Sequence, residues 1–302
     1  MTGTLADAVL DELERQMPFL RRAAESADVP LGTRARELEA IAQRLASMDG
    51  DGWLERSVKG YVALSLEFLT LQRQLEKTGR YLLSSEREAF ERVYSSPDVF
   101  LGYYLPGLLL SEALWPNHYR FGELFRGEFL QALPEEARVL EVGVGSGYHL
   151  RALFDRIPGV RYEAIDISSL AVQFAKSYAL GDRTAADATF AIRNVMEGIP
   201  AAGATYDAVV CGEVLEHVEH PEQLLAEIRR VLRPGGVFFM TTVAFAANVD
   251  HIYLFENAEQ IRALLRACGW SVKTELVLPV YPADSPDALR RPLNYATIAT
   301  PA

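Results

Sequence analysis

Ten consecutive residues constrain this chain more than any others: Val139-Leu-Glu-Val-Gly-Val-Gly-Ser-Gly-Tyr148. An apolar run that ends in glycines spaced two apart is a buried strand followed by a sharp turn. Glycine lets such a turn adopt left-handed backbone and lie against a ligand, and the N-terminus of a following helix offers free N–H groups. From Ala137 onward the rhythm of strand, turn and helix repeats. Strands are expected at Arg138–Val142, Tyr162–Ile167, Thr189–Asn194, Tyr206–Cys211, Val237–Val243, Ser271–Val280 and Asn294–Thr300. Helices are expected over 168–178, 221–232 and 257–268. This alternation predicts an α/β architecture: right-handed crossovers, a largely parallel sheet and helices on both faces.

The residues before this region read differently. Up to about residue 132 there is helical punctuation and almost no strand signal. Leu5, Val9, Leu10, Leu13 and Met17 recur at helical spacing until Pro18 interrupts. Thr33 is expected to cap a second helix. A longer amphipathic stretch from Trp53 to about Leu83 offers Val62, Leu66, Leu69 and Leu75 as core positions, and Ser84 or Ser85 is expected to cap the next helix. Pro97, Pro106 and Pro116 then break the chain into short pieces. The expected division is a helical region over residues 1–120 and an α/β domain over 121–302.

The glycine turn also speaks to its ligand. A dinucleotide fingerprint needs G-x-G-x-x-G. Gly143 and Gly145 satisfy its first two positions, but Tyr148 stands at the third, and Gly147 makes the pattern G-x-G-x-G. Glu141, two residues before the turn, would repel a pyrophosphate and suits a cationic ligand. Asp166 closes the second strand nineteen residues after Gly147, where a carboxylate accepts hydrogen bonds from two ribose hydroxyls. S-adenosylmethionine fits these features together: it has an ammonium, a sulfonium, a ribose and no phosphate.

With these residues in place, the sequence resembles the class I S-adenosylmethionine-dependent methyltransferases. It is most similar to a subgroup with E-x-x-E-H-x-x-x-P, here Glu213 to Pro221, followed by Leu225-Ala-Glu-Ile-Arg-Arg-Val-Leu-Arg-Pro-Gly-Gly236. The resemblance runs from about Phe121 to the C-terminus. It implies a Rossmann-like sheet of seven strands, the last antiparallel, to which the N-terminal helices are an extension. It also implies that Glu141, Gly143, Gly145 and Gly147 cradle the methionine end of the cofactor and that Asp166 holds the ribose. Ile167 would lie against the adenine, Asn194 and Val195 at its edge, and Glu213 beside the cofactor. Many relatives carry Asp at the position of Asn194.

Methyl transfer from a sulfonium is an in-line displacement that needs alignment, desolvation and, for some acceptors, a base. His217, His251, Glu213 and Tyr253 follow the fourth and fifth strands and are the candidate catalytic residues; His149 lies just past the glycine turn. On a helical turn Glu213, Glu216 and His217 would share a face, and with His251 they could hold a divalent metal. Small-RNA 2′-O-methyltransferases use a similar set for metal, and one is proposed in ubiquinone-pathway O-methyltransferases. The bland reading is that Glu216 and His217 brace a loop. In the helical half, Tyr103, Tyr104, Trp115, His118 and Tyr119 are either core residues or the aromatic wall of a substrate pocket.

Charge and cysteines narrow the partners. The 302 residues carry 41 acidic and 30 basic side chains, a net charge of −11 divided as −4 over residues 1–120 and −7 over 121–302. Such a chain repels nucleic acid and anionic membranes. The two cysteines, Cys211 and Cys268, suit a reducing cytoplasm, and no signal peptide or membrane span is visible. The expected function is methylation of a small molecule or small peptide, as in specialised metabolite biosynthesis, with a homodimer through the N-terminal helices as a further expectation. A metal-dependent RNA 2′-O-methyltransferase and a non-catalytic cofactor-binding scaffold are the alternatives.

Overall fold

The computed structural model describes residues 3–157, 159–180, 188–281 and 291–302. The N-terminal region is helical: α1 (Leu5–Gln16), α2 (Pro18–Glu25), α3 (Leu31–Asp49), α4 (Trp53–Thr78), α5 (Glu86–Ala89), α6 (Pro97–Val99), α7 (Leu105–Leu114) and α8 (Pro116–Leu124). Thr4 starts α1 through a capping box with Asp7. Helix α3 begins two residues before the expected cap, because Pro30 already leads the chain into Leu31 and leaves Thr33 inside the first turn. Ser85 does cap α5, accepting from the Glu88 N–H. The buried face of α4 is Val58, Tyr61, Leu64 and Leu75. Val62 and Leu69 are only partly buried and Leu66 is exposed, so of the four expected core positions Leu75 alone is fully buried. Three single π-turns, Phe90–Tyr94, Phe100–Tyr104 and Phe125–Phe129, interrupt the later helices.

The seven strands are β1 (Arg138–Val142), β2 (Arg161–Asp166), β3 (Ala188–Ile192), β4 (Tyr206–Gly212), β5 (Leu232–Ala244), β6 (Trp270–Pro279) and β7 (Leu293–Pro301). They form one sheet in the order β3-β2-β1-β4-β5-β7-β6. Neighbours from β3 to β5 pair in parallel, and β7 runs antiparallel between β5 and β6. The strand segments read from sequence lie within a residue or two of these, except that β5 starts at Leu232, which pairs with Tyr206 across an irregularity. Helices α9 (Tyr148–Arg156), α10 (Ser169–Leu180), α11 (Pro221–Val231) and α12 (Ala258–Ala267) complete the α/β region.

Alternate strand residues serve opposite faces. Leu140, Val209 and Phe238 pack with Leu225 and Ile228 of α11 and Ile261 of α12. Val139, Val210 and Phe239 pack on the other face with Leu150 and Leu153 of α9, and this core continues without a break into Leu13, Leu45, Tyr61 and Leu109 of the N-terminal helices. Arg44 of α3 donates to the carbonyl of Tyr178 near the end of α10. The helical region is thereby fixed over the C-terminal edge of the parallel strands, where open α/β sheets place their ligands. No helix among the described residues is long and apolar enough to cross a membrane.

Candidate active site

The turn after β1 bends as its glycines require. Gly143, Gly145 and Gly147 have φ of 75°, 47° and 78°, which side chains rarely tolerate. A side chain at Gly143 or Gly147 would collide with Val214 or Ala175, whereas Gly145 faces open space. The turn is anchored by Asp166, whose carboxylate accepts from the N–H groups of Gly145 at 3.1 Å and Ser168 at 2.8 Å. Burial pushes the Asp166 carboxyl up to about 6, against the pull of these amides. Glu141, 1% exposed, is gripped by the Tyr162 hydroxyl and lies 3.3 Å from His149 Nδ1. Glu141, the three loop residues 143–145, Asp166, Ile167, Asn194 and Val195 all line one cavity of about 800 Å³.

This arrangement meets the needs of S-adenosylmethionine. A fixed carboxylate at the strand end, open backbone at Gly145 and a second carboxylate at the end of β2 are a donor set for a cation and a ribose. Ile167 and Val195 add apolar surface to the same cavity. Asn194 serves a further purpose. Its amide donates to Glu86 at 3.0 Å, while its carbonyl oxygen accepts from the Met196 N–H. Glu86 in turn exchanges two backbone-to-carboxylate hydrogen bonds with Glu219. An aspartate at 194 would set one carboxylate against another, so the Asn matches a contact that the N-terminal region makes across the cavity's edge.

The strand ends beyond β4 and β5 hold a second cluster. Glu213 has φ of 52°, a strained conformation for a non-glycine residue. Its N–H is held by Thr241 and its side chain lines the cavity, with Oε1 unpartnered. Glu216 is fully buried; Oε2 accepts from Thr242 at 2.6 Å, and Oε1 has no hydrogen-bond partner and lies 3.7 Å from His217 Nε2. Burial raises both carboxyls, Glu216 the further because the Glu213 charge adds to it. His217 Nδ1 lies 3.1 Å from both the Tyr94 hydroxyl and the Asp250 carbonyl. His251 Nδ1 lies 2.9 Å from the Ala246 carbonyl. A carbonyl only accepts, so both rings carry their hydrogen on Nδ1 in the neutral state and keep a lone pair on Nε2. Burial beside His217 drives His251 down to about 3.

The sequence expectations are sorted by this geometry. His217, His251 and Glu213 line the cavity. Tyr253 does not: its ring packs on Phe255 and its N–H donates to the Glu216 carbonyl. Of the four expected metal ligands, Glu216, His217 and His251 bring ligand atoms within 4.8 Å of one another, and Glu213 stays outside the group. The cause is local: Leu215–His217 is a 3-10 turn and the left-handed Glu213 precedes it, so no α-helical face joins the four. Tyr104, Trp115 and His118 line the cavity. Tyr119 does not, and its hydroxyl donates to the Thr33 carbonyl. Tyr103 instead donates to Glu67. His118 sits edge-on to Trp115 with Nδ1 3.0 Å from Ser111 Oγ, and burial lowers it to about 4.

Three participants escaped the sequence reading. Asp250, 1% exposed, accepts from the Tyr104 hydroxyl at 2.6 Å and leaves Oδ1 unpartnered. Tyr94 reaches His217 from a π-turn. Glu112 projects from α7 into the cavity wall. Asp250 had a signal in its place beside His251; Tyr94 and Glu112 had none.

Comparison with known proteins agrees with this geometry. Residues 140–240 match a family described as a methyltransferase domain. A ubiquinone biosynthesis O-methyltransferase of Xanthomonas oryzae pv. oryzae is 34% identical over 107 residues, covering 35% of this chain and 43% of that protein. A malonyl-[acyl-carrier protein] O-methyltransferase of Hahella chejuensis is 29% identical over 158 residues, covering 47% and 55%. The chain thus spans about half the length of these curated relatives. Phosphoethanolamine N-methyltransferase 2 of Haemonchus contortus, solved in complex with S-adenosyl-L-methionine, superposes with a TM-score of 0.53 at 16% identity, over 73% of this chain and 61% of that one; at that identity the likeness is one of fold. Residues 140–240 thus match a methyltransferase domain, set in a sheet and glycine turn whose fold is shared with a solved S-adenosyl-L-methionine-bound methyltransferase.

Proposed function

We propose that the chain transfers a methyl group from S-adenosylmethionine to a small-molecule or small-peptide acceptor. One observation carries this reading: a single cavity of about 800 Å³ joins the glycine turn to the histidine and carboxylate cluster at the ends of β4 and β5. The volume falls in the range of small-molecule sites, roughly 300–1,000 Å³. When bound, the cofactor supplies an electrophilic methyl on a positively charged sulfur. Glu141 and Glu213 offer negative charge to such a cation, and Asp166 receives the ribose hydroxyls. His217 is the group best placed to take a proton from the acceptor, since the Asp250 carbonyl holds its Nδ1–H and leaves Nε2 with a lone pair. Two curated relatives are named O-methyltransferases, which supports oxygen as the methylated atom, and specialised metabolism remains a fitting context. Titration calorimetry of the full chain with S-adenosylhomocysteine is expected to show saturable one-to-one binding; absence of heat and of a thermal shift would reject the reading.

A second reading rests on the three-residue group. Glu216 Oε1 is buried without a hydrogen-bond partner, 3.7 Å from His217 Nε2, and His217 and His251 keep an Nε2 lone pair because a carbonyl takes each Nδ1–H. Carbonyl-oriented imidazoles beside a carboxylate suit a divalent cation. Such an ion would act there as a Lewis acid toward an acceptor oxygen. Chelator-treated protein is expected to gain a few degrees in Tm on addition of manganese, magnesium or zinc, and His251→Ala to lose that gain. A Tm indifferent to all three metals would exclude the site and leave His217 as a base alone.

A further inference from the structure

The cavity continues past the glycine turn into the N-terminal helices, and the proposed methyl transfer leaves open what occupies that end. Its wall there is apolar: Leu64 and Phe68 of α4, Leu105 and Leu108 of α7, Leu20 of α2 and the indole of Trp115. Polar groups interrupt it, and Ser65 and Glu112 are two among them that no side-chain hydrogen bond within the described residues engages. Ser65, 4% exposed, presents an Oγ with no hydrogen-bond partner. Glu112, half-buried, forms no hydrogen bond or ion pair among the described residues. Unpartnered polar groups in an apolar wall are costly unless a ligand completes them.

Charge excludes one class of ligand. Among the described residues, seven acidic side chains line the cavity against two arginines. Arg120 is tied at 2.7 Å to Asp28, a mostly exposed residue, and Arg193 is exposed. No lysine among the described residues contributes to the wall. A carboxylate or phosphate entering the helix-lined end would lose its hydration and meet no buried cation. An uncharged molecule with an apolar body loses little by the same transfer.

We propose that this helix-lined end is the acceptor site and that it selects an uncharged, largely apolar molecule of aromatic size carrying a hydroxyl, which Ser65 and Glu112 hydrogen-bond. The inference rests on the methyl-transfer reading for its purpose and on the cavity wall for its chemistry. Burial, with Glu37 and Glu213 nearby, holds the Glu112 carboxyl well above its usual range. A carboxyl so raised favours its protonated form, which donates as well as accepts.

The probes are 2-naphthol, 2-naphthoate and S-adenosylhomocysteine, titrated into the full chain at about pH 7.5. Binding of 2-naphthol is expected, with 2-naphthoate at least about tenfold weaker because its charge must be desolvated without a partner. Leu108→Trp, which fills the apolar end, is expected to abolish 2-naphthol binding and leave S-adenosylhomocysteine binding unchanged. Glu112→Gln is expected to retain 2-naphthol and Glu112→Leu to weaken it. Naphthoate binding as tightly as naphthol, or naphthol binding unaffected by Leu108→Trp, would overturn the inference. So would an absence of naphthol binding in a protein that still binds S-adenosylhomocysteine. Failure to bind S-adenosylhomocysteine alone would instead strike the methyl-transfer reading and leave the acceptor chemistry standing.

Discussion

Asp166→Ala is expected to weaken S-adenosylhomocysteine binding by about a hundredfold or more, read by calorimetry on folded protein. Two charge-assisted hydrogen bonds to ribose hydroxyls, each worth roughly 1.5–3 kcal/mol, account for a loss of that size. The same residue orders the turn, because its oxygens hold the Gly145 and Ser168 amides. The more informative variant is Asp166→Asn, which keeps the size and removes the charge at the loss of one of the two acceptor oxygens. The carboxyl rises from 3.8 to about 6 on burial in the ligand-free protein. Between about pH 4 and 6 the folded chain retains a proton there that the unfolded chain has released, so stability falls as pH rises through that window. Above it the ionised, buried group costs on the order of 2 kcal/mol. Asp166→Asn is thus expected to bind the ligand more weakly and to show a flatter pH profile of stability between about pH 4 and 6, while its NH2 leaves the Gly145 or the Ser168 N–H without an acceptor. A variant that binds as tightly as the native protein would remove Asp166 from the cofactor site.

The largest stability effect is expected at Arg34. This residue is 0% exposed and lacks a carboxylate partner among the described residues. Its guanidinium donates to the carbonyls of Ala24 at the end of α2, of Val29, and of Ala113 and Leu114 at the end of α7. Helix C-termini carry partial negative charge and unpaired carbonyls, so one buried cation satisfies two helix ends and a loop. Burial lowers its pKa, but a guanidinium stays charged. Arg34→Met strands these carbonyls and is expected to cost about 3–5 kcal/mol, or roughly 10 °C in Tm. Arg34→Lys should not restore it, since a single ammonium cannot reproduce the planar fork. Thermal unfolding followed by circular dichroism checks both; a Tm within about 2 °C of the native value in Arg34→Met would show that other contacts hold the helices.

What the sequence revealed and what it hid follow from the range of the interactions. The parallel strands were legible because each is a short apolar run closed by turn residues, and the glycine turn because its spacing is a local steric demand. The buried face of α4 was misread: Leu64 and Leu66 are two residues apart and so lie on nearly opposite sides of a helix. Periodicity identifies that a face exists, but the neighbour that covers it is set by the tertiary fold. The cavity's missing members are similar in kind. Tyr94 meets His217 across 123 residues, and Tyr104 meets Asp250 across 146. Nothing in the local sequence of either tyrosine marks that meeting. Asn194 was legible as a position and not as a choice, because Glu86, its partner, lies in the helical half.

The π-turns at Phe90–Tyr94 and Phe100–Tyr104 give the region an unusual genetic tolerance. Each contains one residue more than an ordinary helical turn, and each ends on a tyrosine that points into the cavity. Removing a single residue from a regular helix rotates everything beyond it by about 100° against its neighbours. Here the same deletion would heal the hydrogen-bond ladder while swinging the tyrosine off its histidine or aspartate. Loss of one codon is therefore a route by which descendants of this chain can keep a folded helical cover and exchange the groups it presents to the cavity.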